Sequence, residues 1–177
     1  MSVSTPTQAA AGTASLPFIA GLVVAIGGAA TLAGAWFFQL VIGLAPCPLC
    51  LEQRLPYYIG VPVALGAAGL AWAGRGAQAR VALALAGTLM AFAAVLAAYH
   101  AGVEWKFWAG PATCSGAGPV QGGMGAGGLL AQLDAVRVVR CDEAPWRLLG
   151  LSLAGYNVLI AATLSLVAFA GTRPPRA

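Results

Sequence analysis

The sequence predicts an all-α membrane protein built as a four-helix transmembrane bundle. Two observations carry this. Of 177 residues, 60% are hydrophobic and only 8% charged, whereas about 25% are charged in a soluble domain. The apolar residues also fall into four runs, each long enough to cross a bilayer core of about 30 Å, which takes roughly 20 helical residues. The formal charge of +4 and the pI near 9.2 do not point to nucleic acid, because the few charges lie between apolar runs and form no basic cluster.

Residues 1–15 are small and polar without Lys or Arg, which predicts a disordered terminus rather than a cleaved signal peptide. A single domain then covers 16–171, and 172–177 is a short basic tail. The first span is expected at about 16–44, broken only by Gln39, with Ala30 and Gly34 as a small-residue pair for close helix approach. The second, at about 50–73, contains Pro56 and Pro62; these predict either a structural bend or a widened space beside Cys50. A tight polar turn at 74–80 leads to the third span, at about 81–99. The long loop 100–146 opens with His100, Glu104, Trp105, Lys106, Phe107 and Trp108, a mixture suited to a membrane interface. Within it, 110–128 is dominated by Gly, Ala and Pro, which predicts a mobile stretch. Leu129, Leu130, Leu133 and Val136 then recur at helical spacing, which fits a short interfacial helix or a packed connector. The fourth span is expected at about 148–170.

Between spans one and two lies Cys47-Pro48-Leu49-Cys50, followed by Arg54. Proline is favoured just inside a helix start, so Cys47 is expected to be the N-cap and Pro48 the first helical residue. Positions 47, 50 and 54 then share one helix face. The helix dipole and Arg54 favour thiolate at both sulfurs. Two more cysteines, Cys114 and Cys141, lie in the long loop. Four spans put both loops that carry cysteines on one side of the membrane, but Lys and Arg occur near both sides, so charge does not say which.

Three readings compete for the four cysteines. A zinc site lacks a second Cys-x-x-Cys. A structural disulfide suits Cys114 and Cys141, but little loop entropy is gained by joining Cys47 to Cys50. Redox exchange between two pairs fits best. It needs a soluble dithiol donor at the loop pair and an acceptor at Cys50. No haem, flavin or nucleotide motif is present, so a lipid-soluble quinone in an apolar slot is expected, with Arg54 stabilising its reduced oxygen. A non-catalytic scaffold with structural disulfides and a metal-binding membrane module are the other classes. Quinone reduction by a reduced partner separates them.

The chain resembles the DsbB family, the quinone-reducing membrane proteins that reoxidise the periplasmic thiol oxidase DsbA. The resemblance rests on Trp36-Phe37-Phe38-Gln39, Cys47-Pro48-Leu49-Cys50 with Gln53-Arg54, Tyr99-His100, Cys114, Cys141-Asp142-Glu143, and Pro145-Trp146-Arg147-Leu148-Leu149-Gly150. It implies a bacterial inner-membrane protein with all four cysteines facing the periplasm. Cys47 and Cys50 are then the quinone-reducing pair, with Cys50 nearest the ring and Arg54 and His100 at the quinone site. Cys114 is implied as the cysteine joined to the DsbA-like partner, with Cys141 as its mate. Its surroundings are read as open and mobile, whereas Asp142 and Glu143 would discourage an incoming thiolate at Cys141; Arg140 opposes that effect, so charge alone does not decide between the two sulfurs. The quinone is ubiquinone or menaquinone. No metal is expected. A vitamin-K-epoxide-reductase-like protein shares this chemistry, but the long loop between spans three and four favours the DsbB order.

Overall fold

A computed structural model describes residues 15–111, 114 and 140–174. The expected disordered terminus, most of the glycine-rich stretch, the helix within 129–139 and the last residues of the tail lie outside the described residues.

Among the described residues, four helices are long and apolar enough to cross a membrane. The first is α1 (Leu16–Leu40). The second is made of α2 (Pro48–Glu52) and α3 (Leu55–Trp72). The third is α4 (Gly76–Glu104) and the fourth α5 (Leu153–Gly171). Around the bundle α1 packs on α3, α3 on α4, α4 on α5 and α5 on α1, while the diagonal pairs touch little, α3 and α5 least. The chain is a multi-pass membrane protein. Large apolar side chains such as Trp72, Val81, Phe92, Val95 and Leu166 point outward, as lipid-facing side chains do.

The core is made of small residues. Ala20, Ala64, Ala67, Ala86, Ala93, Ala161 and Ala168 are buried together with Val24, Leu83 and Met90. Small side chains let helix backbones approach and gain van der Waals contact where lipid removes the hydrophobic driving force. At Gly21 the backbone of α1 comes close to that of α3, where a Cβ would lie 2.9 Å from the Ala64 carbonyl oxygen and 2.9 Å from the Ala68 nitrogen. The sequence pointed instead to Ala30 and Gly34. That expectation is corrected: Gly34 has nothing within 4 Å of an added Cβ, and both residues line a cavity. Smallness there leaves room rather than closing a contact.

The helix bounds differ from the expected ones for identifiable reasons. The first span ends at Leu40 rather than 44. Pro56 has no N–H to donate to Glu52, so the ladder breaks between α2 and α3, and the Arg54 amide bonds back only three residues to Leu51. A left-handed Gly74 closes α3: the Gly74 amide donates to Ala71 and the Arg75 amide to Leu70, the Schellman pattern. Gln78 and its alanine neighbours favour helix, so the polar turn shrinks and α4 begins at Gly76. The same helix runs past residue 99 and takes in His100 and Glu104. It stops at Lys106, also left-handed, where Phe107 bonds to Gly102 and Lys106 to Val103. The fourth span starts later than expected. Arg147–Leu148 pairs with Leu151–Ser152 as a short antiparallel hairpin, and its Leu149–Gly150 turn has positive φ at both residues, which suits a two-residue hairpin. Ser152 then caps α5 by accepting from the Gly155 amide at 3.1 Å.

A candidate thiol redox site beside a membrane-embedded cavity

Pro48 organises the first cysteine pair. A residue before proline is kept out of the α region, and Cys47 is extended at φ −74°, ψ 164°. It is therefore the N-cap, and its sulfur accepts a hydrogen bond from the Cys50 amide at 3.2 Å. Cys47 is buried, whereas Cys50 is half-buried, and both are free thiols.

Cys114 and Cys141 form a disulfide. They pack with Cys47, Leu49 and Val103 in one buried cluster, against which Cys50 also rests. The segment carrying Cys141 is tied to the end of α4, because Lys106 donates to both the Asp142 carboxylate, at 2.7 Å, and the Asp142 carbonyl. That contact with Lys106, together with Arg140, holds the Asp142 carboxyl below the usual carboxylate range. Its negative charge is thus offset by two cations.

Cys50 and Arg54 line one cavity of about 580 Å³ between α1, α5 and the cysteine loop. Its walls include Phe38, Leu44, Trp146, Leu148 and Ile160. Phe38 and Trp146 meet with tilted rings at 5.3 Å between centroids, and Trp146 meets Tyr156 at 6.2 Å. The volume and the mostly apolar lining suit a small organic ligand. Arg54 is not on the cysteine helix, as the spacing suggested, but is the first flanking residue of α3. It is held from α1, donating to Gln39 Oε1 at 2.7 Å, with its guanidinium 5.2 Å from the centre of the Trp36 ring.

His100 joins the pair to a buried polar chain. Its Nε2 is 3.7 Å from the Cys47 sulfur and 3.9 Å from Glu104 Oε1. On the other side, Gln53 meets Nδ1 at 2.7 Å, Asn157 donates to Gln53 at 2.7 Å, and the Tyr57 hydroxyl donates to Asn157 at 2.6 Å. Glu104 in turn accepts from the Ser152 hydroxyl. Among the described residues no buried side-chain nitrogen or oxygen lacks a partner. The sulfurs of Cys47 and Cys50 and a ring nitrogen of His100 lie within 4.8 Å of one another.

Two sequence expectations need correction. The thiolate-favouring environment does not extend to Cys47: although the Cys50 amide favours its thiolate, the hydrogen bond from its thiol to the Cys50 sulfur, and then burial, push the Cys47 thiol well above its ordinary range. Cys114 is also not open, being 4% exposed against 1% for Cys141, so access does not distinguish the two sulfurs. Sequence reasoning missed Gln53, Tyr57, Asn157 and Ser152 as members of the site and took Glu104 for an interfacial residue. The available signal was a polar side chain within a span, which is costly in lipid and marks a functional candidate.

The family model described as Disulfide bond formation protein DsbB matches residues 18–171. The chain is 31% identical over 153 residues to Disulfide bond formation protein B of Verminephrobacter eiseniae, covering 80% of this chain and 77% of that protein. It is 23% identical over 129 residues to an uncharacterised protein of Rickettsia prowazekii, covering 73% and 72% of the two chains. No solved structure gives a significant match. With a match across all four spans and both cysteine pairs, the chain belongs to the DsbB family of disulfide bond formation proteins, which are oxidoreductases.

Proposed function

We propose that this protein is a thiol–quinone oxidoreductase that reoxidises a DsbA-like periplasmic thiol oxidase and so generates disulfides de novo. One observation carries the reading: Cys47 packs with the Cys114–Cys141 disulfide, while Cys50, three residues on, lines the membrane-embedded cavity. The first pair thus lies against the loop pair, and Cys50 is its member that also reaches the pocket. The reduced partner attacks the loop disulfide, at Cys114 by resemblance to the family. The loop dithiol then reduces Cys47–Cys50, each step being thiolate attack on a disulfide sulfur.

A quinone fits the cavity by volume, by its aromatic and aliphatic walls and by the few polar groups at one end. Bound there, ubiquinone or menaquinone would supply the two-electron acceptor. Arg54, fixed by Gln39, would hold an anionic oxygen by a charge-assisted hydrogen bond. His100 serves the same end of the site through the Cys47 sulfur. The test is purified protein given reduced DsbA-like partner and quinone, with quinol measured. Catalytic quinol formation is expected; its absence with every quinone tried would defeat the reading.

Arg54→Ala is expected to leave membrane insertion intact and weaken quinone use. A charge-assisted hydrogen bond is worth about 1.5–3 kcal/mol, which corresponds to a loss of about tenfold to a hundredfold in apparent affinity or rate. Unchanged kinetics across a quinone titration would remove Arg54 from the site.

A further inference from the structure

We propose that Asn157 and Tyr57 are positioning residues: through Gln53 they hold the His100 imidazole in the tautomer whose Nε2–H faces the Cys47 sulfur. The proposal rests on the relay between cysteine pairs and adds to it Asn157, which lines the cavity, and the buried Tyr57 that bonds to it.

The polar chain has a direction. A hydroxyl can donate or accept, but each amide presents its oxygen and its NH₂ on opposite edges. The Tyr57 hydroxyl donates to Asn157 Oδ1, which leaves Asn157 Nδ2 to donate to Gln53 Oε1. That turns Gln53 Nε2 toward His100 Nδ1 as a donor. Nδ1 must then accept, and in a neutral ring the proton sits on Nε2. Nε2 in turn faces the Cys47 sulfur at 3.7 Å and Glu104 Oε1 at 3.9 Å, and the imidazole also meets the Cys141 backbone carbonyl. With its proton there, the ring offers no lone pair to a metal ion beside the two sulfurs.

This arrangement serves one step of the exchange. When the loop disulfide re-forms, the thiolate of one loop cysteine attacks the other, which is bonded to Cys47. The new bond joins Cys114 to Cys141, the bond to Cys47 breaks, and its electron pair leaves on the Cys47 sulfur. That sulfur is buried among apolar neighbours. The Nε2–H supplies a hydrogen bond to the departing thiolate without any net transfer of a proton. An imidazole with its proton on Nδ1 would instead turn a lone pair on the forming anion.

The chain contains one histidine, so nitrogen-15 histidine labelling of the full protein in lipid nanodiscs reports His100 alone. In mildly alkaline buffer the unsubstituted protein is expected to carry its proton on Nε2. Asn157→Leu should give a mixture of tautomers, and Tyr57→Phe should move in the same direction by less. In single-turnover experiments Asn157→Leu should slow re-formation of the loop disulfide by about twofold to tenfold, the effect of losing one neutral hydrogen bond. In a His100→Ala background it should cause no further slowing, because coupled residues are not additive. A proton found on Nδ1, a tautomer indifferent to Asn157→Leu, or a slowing that adds fully to that of His100→Ala would overturn the proposal. If the unsubstituted protein passes no electrons between its pairs, the relay reading falls and the proposal with it.

Discussion

Cys50→Ser is expected to abolish quinone-dependent turnover while leaving one round of exchange with a reduced partner intact. Cys50 is the cysteine that lines the cavity, so without it the loop pair has no route to an acceptor in the membrane. The Cys114–Cys141 disulfide is untouched by the change and can still be reduced once. Cys47→Ser should behave alike, because Cys50 alone has no intramolecular partner with which to close a disulfide. The loss is of the whole catalytic cycle, larger than any hydrogen-bond effect. Partner oxidation in the absence of quinone should then stop at one equivalent per chain for either variant. Many turnovers with quinone would show that electrons bypass the first pair.

Gly21→Leu is expected to have the largest effect on the fold. A Cβ at Gly21 meets backbone atoms of α3, the Ala64 carbonyl and the Ala68 amide, and backbone cannot turn aside as a flexible side chain can. The helices must separate, which strips contact from neighbouring Ala20, Val24 and Ala64. Overpacking of a tight interior costs about 1–3 kcal/mol, and a displaced α1 also carries Gln39 away from Arg54. Purified Gly21→Leu protein should therefore lose thermal stability and quinone activity together. Gly66→Ala, where nothing lies within 4 Å of the added Cβ, should match the unsubstituted protein. Equal melting of Gly21→Leu and the unsubstituted protein would contradict the packing described for α1 and α3.

What the sequence revealed and what it hid follow from the range of each interaction. The four spans were legible because a run of apolar residues is a local property. So was the start of α2, since Pro48 constrains Cys47 directly. Helix ends were less so: Gly74 announces a stop, but Lys106 does the same work without being a glycine, and Leu149–Gly150 makes a hairpin turn inside an apolar run. The small pair at Ala30 and Gly34 misled because the same residues that allow close packing also leave a cavity open. Which occurs depends on where α1 parts from α5. The polar chain is the least local feature. Tyr57 to Asn157 spans 100 residues and Gln53 to Asn157 spans 104, and no spacing rule joins them. The burial of Cys47 was likewise hidden, because the groups that cover it come from the distant loop pair.

The central claim is that electrons enter the first pair at Cys47 and leave it at Cys50. Trapping the bond between the pairs tests this most directly. A Cys50→Ser, Cys114→Ser protein retains only Cys47 and Cys141, which pack in one buried cluster. Gentle oxidation should join them in a single chain, and peptide mapping should recover the Cys47–Cys141 disulfide in high yield. The matching Cys47→Ser, Cys114→Ser protein, which retains Cys50 and Cys141, should give little of its own bond. High yield from Cys50 with none from Cys47 would reverse the order of the two sulfurs and contradict the account.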